Sequence, residues 1–233
     1  MNPGSALNLN EPRMNRRRLL LLASFLAYFA ALWVLWPSIW VYPLKIFVVF
    51  LHELSHGLAA VATGGTISHI TLDPYQGGAT YTRGGNAFLT LSAGYLGSLF
   101  WGLLILLVAR RRPRWARTLL YILAGTVLGT TILYVRSGFG VVFGFMFGVA
   151  LLLCARKLPT GGVIGVLTAL GLTSALYAVL DIRDDILSRP HVRSDAFMLH
   201  ELTGIPTLAW GFFWAGVAVI ACLITAHRLF RRA

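Results

Sequence analysis

Residues 47–65 read FVVFLHELSHGLAAVATGG, an apolar stretch in which His52, Glu53 and His56 stand within five positions. It belongs to a longer apolar run, residues 44–63, close to the roughly 20 residues an α-helix needs to cross the hydrocarbon of a bilayer. On a helix, residues four apart lie one turn from each other on one face, so both imidazoles can reach a single tetrahedral zinc. Glu53, one position along from His52, is placed to take the proton of an attacking water. An ionisable residue at the centre of a span costs about 2.5 kcal/mol or more on insertion scales. A metal would satisfy both histidines and leave the carboxylate a role. The competing use of such a cluster is a metal-free proton pathway, or hydrogen bonding between helices in a transporter.

Outward from this stretch the chain carries further apolar runs at residues 19–36, 87–109, 118–135, 139–155, 163–180 and 206–226. With 44–63 they make seven candidate spans. The expected fold is therefore an all-α polytopic membrane protein with six to seven transmembrane helices. The run from Phe139 is the shortest and is rich in glycine, which makes it the least secure as a complete span. Composition agrees with the class: 57% of the residues are hydrophobic and 12% charged, where a soluble domain carries about 25% charged residues. So few charges could not keep a globular surface in solution.

Residues 1–18 form a polar, basic segment ending in Arg16-Arg17-Arg18. The run after it is about as long as a full span and leads into Trp33, Trp36 and Trp40 around Pro37, an interfacial aromatic belt. An uncleaved anchor is the expectation, in preference to a signal peptide. Residues 19–233 then form a single transmembrane domain. The net charge is +12, with arginines clustered between apolar runs. That placement suits loops and anionic headgroups and excludes nucleic acid as the expected partner. Strict alternation of seven spans puts the Arg16 cluster and the Arg110-Arg111-Arg112-Pro113-Arg114 cluster on opposite faces, so charge favours no orientation. Cys154 and Cys222 lie inside apolar runs and form no disulfide framework.

Between Gly64-Gly65 and Gly84-Gly85 the sequence TISHITLDPYQGGATYTR, residues 66–83, is rich in Thr, Ile and Tyr, with turn residues at Asp73-Pro74 and Gly77-Gly78. It reads as a short β-hairpin following the H-E-x-x-H helix. Such a hairpin either offers a strand edge to an extended peptide or plugs the helix bundle. Gly125 and Gly129, then Gly140, Gly144 and Gly148, have the spacing of close helix contacts. Asn86 is expected to cap the helix from Ala87 rather than to serve as an oxyanion donor. His200-Glu201 is not a second zinc motif, because Gly204 stands where its second histidine would be. His69, His191 and His227 lie outside the apolar runs and read as solvent or interface residues.

The HELSH helix, the Gly-Gly after it and the expected hairpin resemble the site-2 protease family of intramembrane zinc metallopeptidases. HELSHGLAAVATGG, AGYLGS at 93–98 and SDAFMLHELTGIP at 194–206 are similar to a compact branch of that family, and the resemblance covers about residues 44–214. It implies a zinc-dependent intramembrane endopeptidase that hydrolyses peptide bonds of membrane-embedded protein substrates. Zn2+ would be held by His52, His56 and a later aspartate, with Glu53 as the catalytic base. Family members take that aspartate from an Asn-Pro or Leu-Asp-Gly pattern, and no Leu-Asp-Gly occurs here. The candidates are Asp181, Asp184, Asp185 and Asp195. Asp195 is expected to be the ligand, with Asp181 the alternative. Arg183 and Arg189 account for Asp184 and Asp185 as interfacial ion pairs. The resemblance also implies a lipid bilayer and a transmembrane protein substrate as partners and a multi-pass location in the cell membrane. In departure from the family, the sequence holds no soluble insertion of the size of a PDZ domain, which excludes substrate selection by such a domain. A catalytically silent scaffold, chaperone or transporter is the alternative function; it would be favoured by a broken H-E-x-x-H, and the motif is intact.

Overall fold

The computed structural model describes residues 38–182 and 194–230, together with 23, 27–28, 30–32 and 34–36. The described elements are helix α1 (Tyr42–Ala62), strands β1 (Thr66–Leu72) and β2 (Gly78–Arg83), and helices α2 (Ala87–Arg111), α3 (Pro113–Tyr134), α4 (Gly138–Lys157), α5 (Thr160–Ile182), α6 (Asp195–Thr203) and α7 (Thr207–Phe230). Among the described residues, six helices are long and apolar enough to cross a membrane, all but the nine-residue α6. The architecture is that of a polytopic helical membrane protein with one two-stranded sheet. Residues 1–18 lie outside the described residues, as does most of the anchor run. Where the latter is described, the Tyr28 hydroxyl donates to the Ala169 carbonyl on α5 at 3.1 Å and lies 2.7 Å from Thr173 Oγ1.

Helix α1 is the centre of the bundle. Of its most apolar stretch, 72% is buried inside the protein, against 17% for α7. Pro43 starts it, because its fixed φ suits a first turn whose N–H groups have no helical partner anyway. Thr63 ends it, and Gly64 follows with φ 87°, a left-handed conformation that glycine adopts without a Cβ penalty.

The weakest candidate span proves to be complete. Helix α4 has 20 residues and a mean hydropathy of 2.3, the highest of the six. Its glycines Gly140, Gly144 and Gly148 are buried; a Cβ on Gly144 would stand inside van der Waals contact with Thr131 of α3, and one on Gly148 would lie 2.6 Å from Leu128. The other glycine pair behaves differently. A side chain on Gly125 or Gly129 would meet nothing within 4 Å, because α3 turns Leu120, Ala124, Val127 and Thr131 inward instead. Helices α2 and α5 approach each other backbone to backbone, where a Cβ on Gly171 would lie 2.8 Å from the Gly102 carbonyl oxygen.

The hairpin runs back along α1. It leaves beside the helix C-terminus, where Gly65 N donates to Ala60 O at 2.8 Å, and its tip reaches the helix N-terminus, where the Tyr42 hydroxyl donates to Pro74 O at 2.8 Å. Seven extended residues span about 23 Å, most of the roughly 31 Å of the 21-residue helix beside them. At the tip the Asp73 carboxylate accepts from Tyr75 N at 2.6 Å, and Gln76 has φ 68°.

The two edges of the sheet differ. On β1, the outer edge is covered by the α3–α4 connection: Arg136 N donates to Ile70 O at 3.0 Å, and the Ser137 hydroxyl accepts from Leu72 N at 2.9 Å and donates to Leu72 O at 2.8 Å. On β2, no described strand pairs with the outer edge. Antiparallel residues directly opposite each other direct their backbone groups the same way, both inward or both outward. Ile70 and Leu72 turn theirs outward, so their opposites Thr80 and Gly78 direct theirs to the open edge of β2.

Candidate metal centre

His52, Glu53 and His56 sit near the middle of α1, about 15 Å along it from Tyr42 at 1.5 Å per residue. The imidazole planes are nearly perpendicular, with centroids 4.7 Å apart. Ligand nitrogens of both histidines and a carboxylate oxygen of Glu53 lie within 4.8 Å of one another. His56 Nδ1 lies 2.7 Å from the Thr90 carbonyl oxygen. A carbonyl only accepts, so Nδ1 carries the proton and Nε2 keeps its lone pair for a ligand. The His52 ring meets the edge of Tyr95 at 4.9 Å, and Tyr95 leans on Trp214, also at 4.9 Å.

Helix α6 brings in the fourth group. Ser194 caps it by accepting from Phe197 N at 3.3 Å, and Gly204 closes it with φ 74°. Asp195, the first helical residue, places Oδ2 at 3.0 Å from His52 Nε2 and 3.2 Å from His56 Nε2. Burial by itself would raise the Asp195 carboxyl. The adjacent His56 and His52 imidazoles more than offset it and hold the group well below the usual carboxylate range. Asp181 is in the last turn of α5, but its side chain, like Asp184 and Asp185, lies outside the described residues.

Three glycines make room for this arrangement. A Cβ on Gly94 would lie 2.6 Å from His56 Nε2 and closer still to His52 Nε2, so its missing side chain leaves open the volume on which both nitrogens converge. Gly57, directly after His56, admits the Ile67 side chain of β1, which would lie 2.6 Å from a Cβ there. Gly78 of β2 lies over the Glu53 carboxylate, whose Oε1 would be 2.8 Å from its Cβ. With β2 pressed this close, the Thr80 hydroxyl lies 2.7 Å from Glu53 Oε2 and 2.8 Å from Glu53 O.

The donor set fits zinc. Tetrahedral bonds of about 2.0–2.2 Å place ligand atoms about 3.3 Å apart, close to the 3.0 and 3.2 Å between Asp195 Oδ2 and the two imidazole nitrogens. Two nitrogens and one carboxylate are a donor set that on zinc would leave a position open for chemistry.

Gly94, Thr80 and the Thr90 carbonyl were not legible as site residues. The AGYLGS stretch was the one signal for Gly94, since Gly94 and Ser98 stand four apart, the spacing of small residues that marks a close helix contact. Asn86 is a helix cap, its Oδ1 accepting from Leu89 N at 3.0 Å. His200 turns away from the centre, with Nδ1 3.0 Å from Ile205 O, and His69 stacks on Tyr81 at 4.3 Å.

A bundle of membrane-spanning helices enclosing an H-E-x-x-H helix and a hairpin defines a membrane metallopeptidase fold. A model of the Peptidase M50B-like family matches residues 25–225, and the chain belongs to that family, a site-2 protease type of membrane metallopeptidase. No curated protein and no solved structure matches the chain.

Proposed function

We propose that the protein is a zinc-dependent intramembrane endopeptidase of the cell membrane, with residues 19–233 acting as one domain and transmembrane proteins as substrates. The observation that carries this reading is the convergence of His52, His56 and Asp195 on the volume that Gly94 leaves open, with Glu53 beside it. His52, His56 and Asp195 would hold the zinc, which when bound supplies a Lewis acid for the scissile carbonyl and lowers the pKa of a water toward 7.

The protein's own groups do the rest. Glu53 accepts a proton from the water as its oxygen bonds to the carbonyl carbon. It then delivers that proton to the leaving nitrogen as the C–N bond breaks, which yields a carboxyl and an amine. Thr90 holds His56 in the tautomer this requires. A helical substrate is closed to such attack while its carbonyls are engaged in the i to i−4 ladder, so it must be extended. The open edge of β2, with the backbone groups of Gly78 and Thr80 directed to it, supports strand addition as the way an extended segment is held. A strand edge open at membrane depth would need such a partner, because lipid offers its N–H and C=O groups none.

Full-length protein purified in detergent without chelators is expected to contain about one zinc per chain by elemental analysis and to cleave labelled casein in a chelator-sensitive way. Preparations without stoichiometric zinc would remove the proposal.

A separate expectation concerns Gly94. Gly94→Ala places a methyl group where the two Nε2 atoms converge, and zinc affinity measured against a competing chelator should fall by at least about 10-fold. Gly125→Ala, a change into open space, should leave it unaltered. Equal affinities in the two variants would show that the imidazoles yield to the methyl.

A further inference from the structure

We infer that Thr80 is a positioning residue for Glu53, and that through it the strand that receives the substrate also sets the catalytic base. This rests on the proteolytic reading of the site. The H-E-x-x-H helix by itself does not orient the Glu53 carboxylate, which is a mobile three-torsion side chain with two equivalent oxygens. The only described hydrogen-bond donor to it is the Thr80 hydroxyl, at 2.7 Å from Oε2. With that oxygen held by β2, the carboxylate plane is defined and the other oxygen is left for the water. Gly78 completes the clamp by permitting the strand to lie against Oε1 and Cγ, where any side chain would clash.

Thr80 is suited to both stages of proton transfer. Its single hydrogen has two acceptors in reach, Glu53 Oε2 at 2.7 Å and Glu53 O at 2.8 Å. While Glu53 is a carboxylate the hydroxyl donates to Oε2. When Glu53 carries on its other oxygen the proton it took from water, Oε2 keeps its lone pairs and the hydroxyl goes on donating to it, with the backbone carbonyl as its second acceptor. No heavy atom moves between the two stages.

The same residue touches the substrate side. Ile70, the partner of Thr80 in the register, spends its backbone carbonyl outward on Arg136, so the Thr80 N–H and C=O point to the open edge. An extended segment added to β2 hydrogen-bonds to the main chain of the residue whose side chain holds the base. The hairpin is fixed independently at its tip by Tyr42 and along β1 by Ser137, so Thr80 is presented to Glu53 by a tethered strand.

Thr80→Val, Thr80→Ser and Glu53→Gln, each as the full chain in detergent, test this with labelled casein as the probe. Zinc content should be unchanged in all three. Thr80→Val should lower kcat by roughly 10- to 100-fold with KM within twofold, and Thr80→Ser should recover most of it. The infrared band of the Glu53 carboxylate, isolated by subtracting the Glu53→Gln spectrum, should be displaced in Thr80→Val and restored in Thr80→Ser. An undisplaced band in Thr80→Val overturns the inference whether or not casein is cleaved, as does Thr80→Ser impaired as deeply as Thr80→Val, which would mark a packing role. Zinc-loaded wild-type protein that cleaves no casein would instead sink the proteolytic reading, while the infrared band still decides the contact.

Discussion

Glu53→Gln retains about one zinc per chain and loses proteolysis by about 100- to 10,000-fold, the range that a positioned general base contributes. The variant keeps the shape of the side chain, and the Thr80 hydroxyl can still donate to an amide oxygen, so the bundle and the histidine pair stay in place. What it removes is the ability to accept a proton and pass it on. Glu53 is 5% exposed and enclosed by β2, so bulk buffer has no direct route to replace it. The comparison is made with elemental analysis and casein cleavage on the same preparations. Cleavage at the wild-type rate by a zinc-loaded Glu53→Gln protein would falsify the role of Glu53 as base.

Removal of Asp195 has the second large effect, and on a different quantity. On the proposed ligand set, Asp195→Ala would leave two imidazoles as the protein ligands, and a three-ligand zinc site does not survive such a loss. Zinc affinity should fall by more than the roughly 10- to 100-fold that loss of an outer-shell partner costs, and cleavage should fall with it. Asp181→Ala should keep both. The geometry that motivates the choice is the pair of distances, 3.0 and 3.2 Å, from one carboxylate oxygen to two histidine nitrogens. Expression and thermal unfolding of both variants are followed in parallel, because a buried carboxylate between two imidazoles also bears on stability. Retained zinc in Asp195→Ala together with lost zinc in Asp181→Ala reverses the assignment.

Much of this protein is legible in the order of its residues, for physical reasons that are local. A run of about 20 apolar residues has one stable form in a bilayer, because only a helix satisfies its own backbone groups there. Hence α1 to α5 and α7 could be placed to within a few residues before their packing was known. The H-E-x-x-H spacing is equally local, since helix geometry alone puts His52 and His56 on one face. The hairpin was announced by its glycine borders and β-branched residues, and the Asn86 cap by its position.

Whatever depended on residues far apart in the chain was decided by the tertiary structure. Four aspartates were candidates to join the histidines, and Asp195 was preferred for its place in the stretch that resembles the family; the docking of α6 against α2 and α7 is what brings its Oδ2, 143 positions away in sequence, to His52. Two glycine series had the same spacing, yet Gly140, Gly144 and Gly148 face a neighbour and Gly125 and Gly129 do not, because spacing reports a stripe and not what lies opposite it. Which hairpin edge stays open could not be read either. It follows from the α3–α4 connection covering β1, a contact made across more than sixty positions, from Leu72 to Ser137. Thr80 became a site residue by the same means. Its sequence neighbourhood says only that it lies in a strand, and its meaning comes from a packing distance to Glu53 that glycine at position 78 permits.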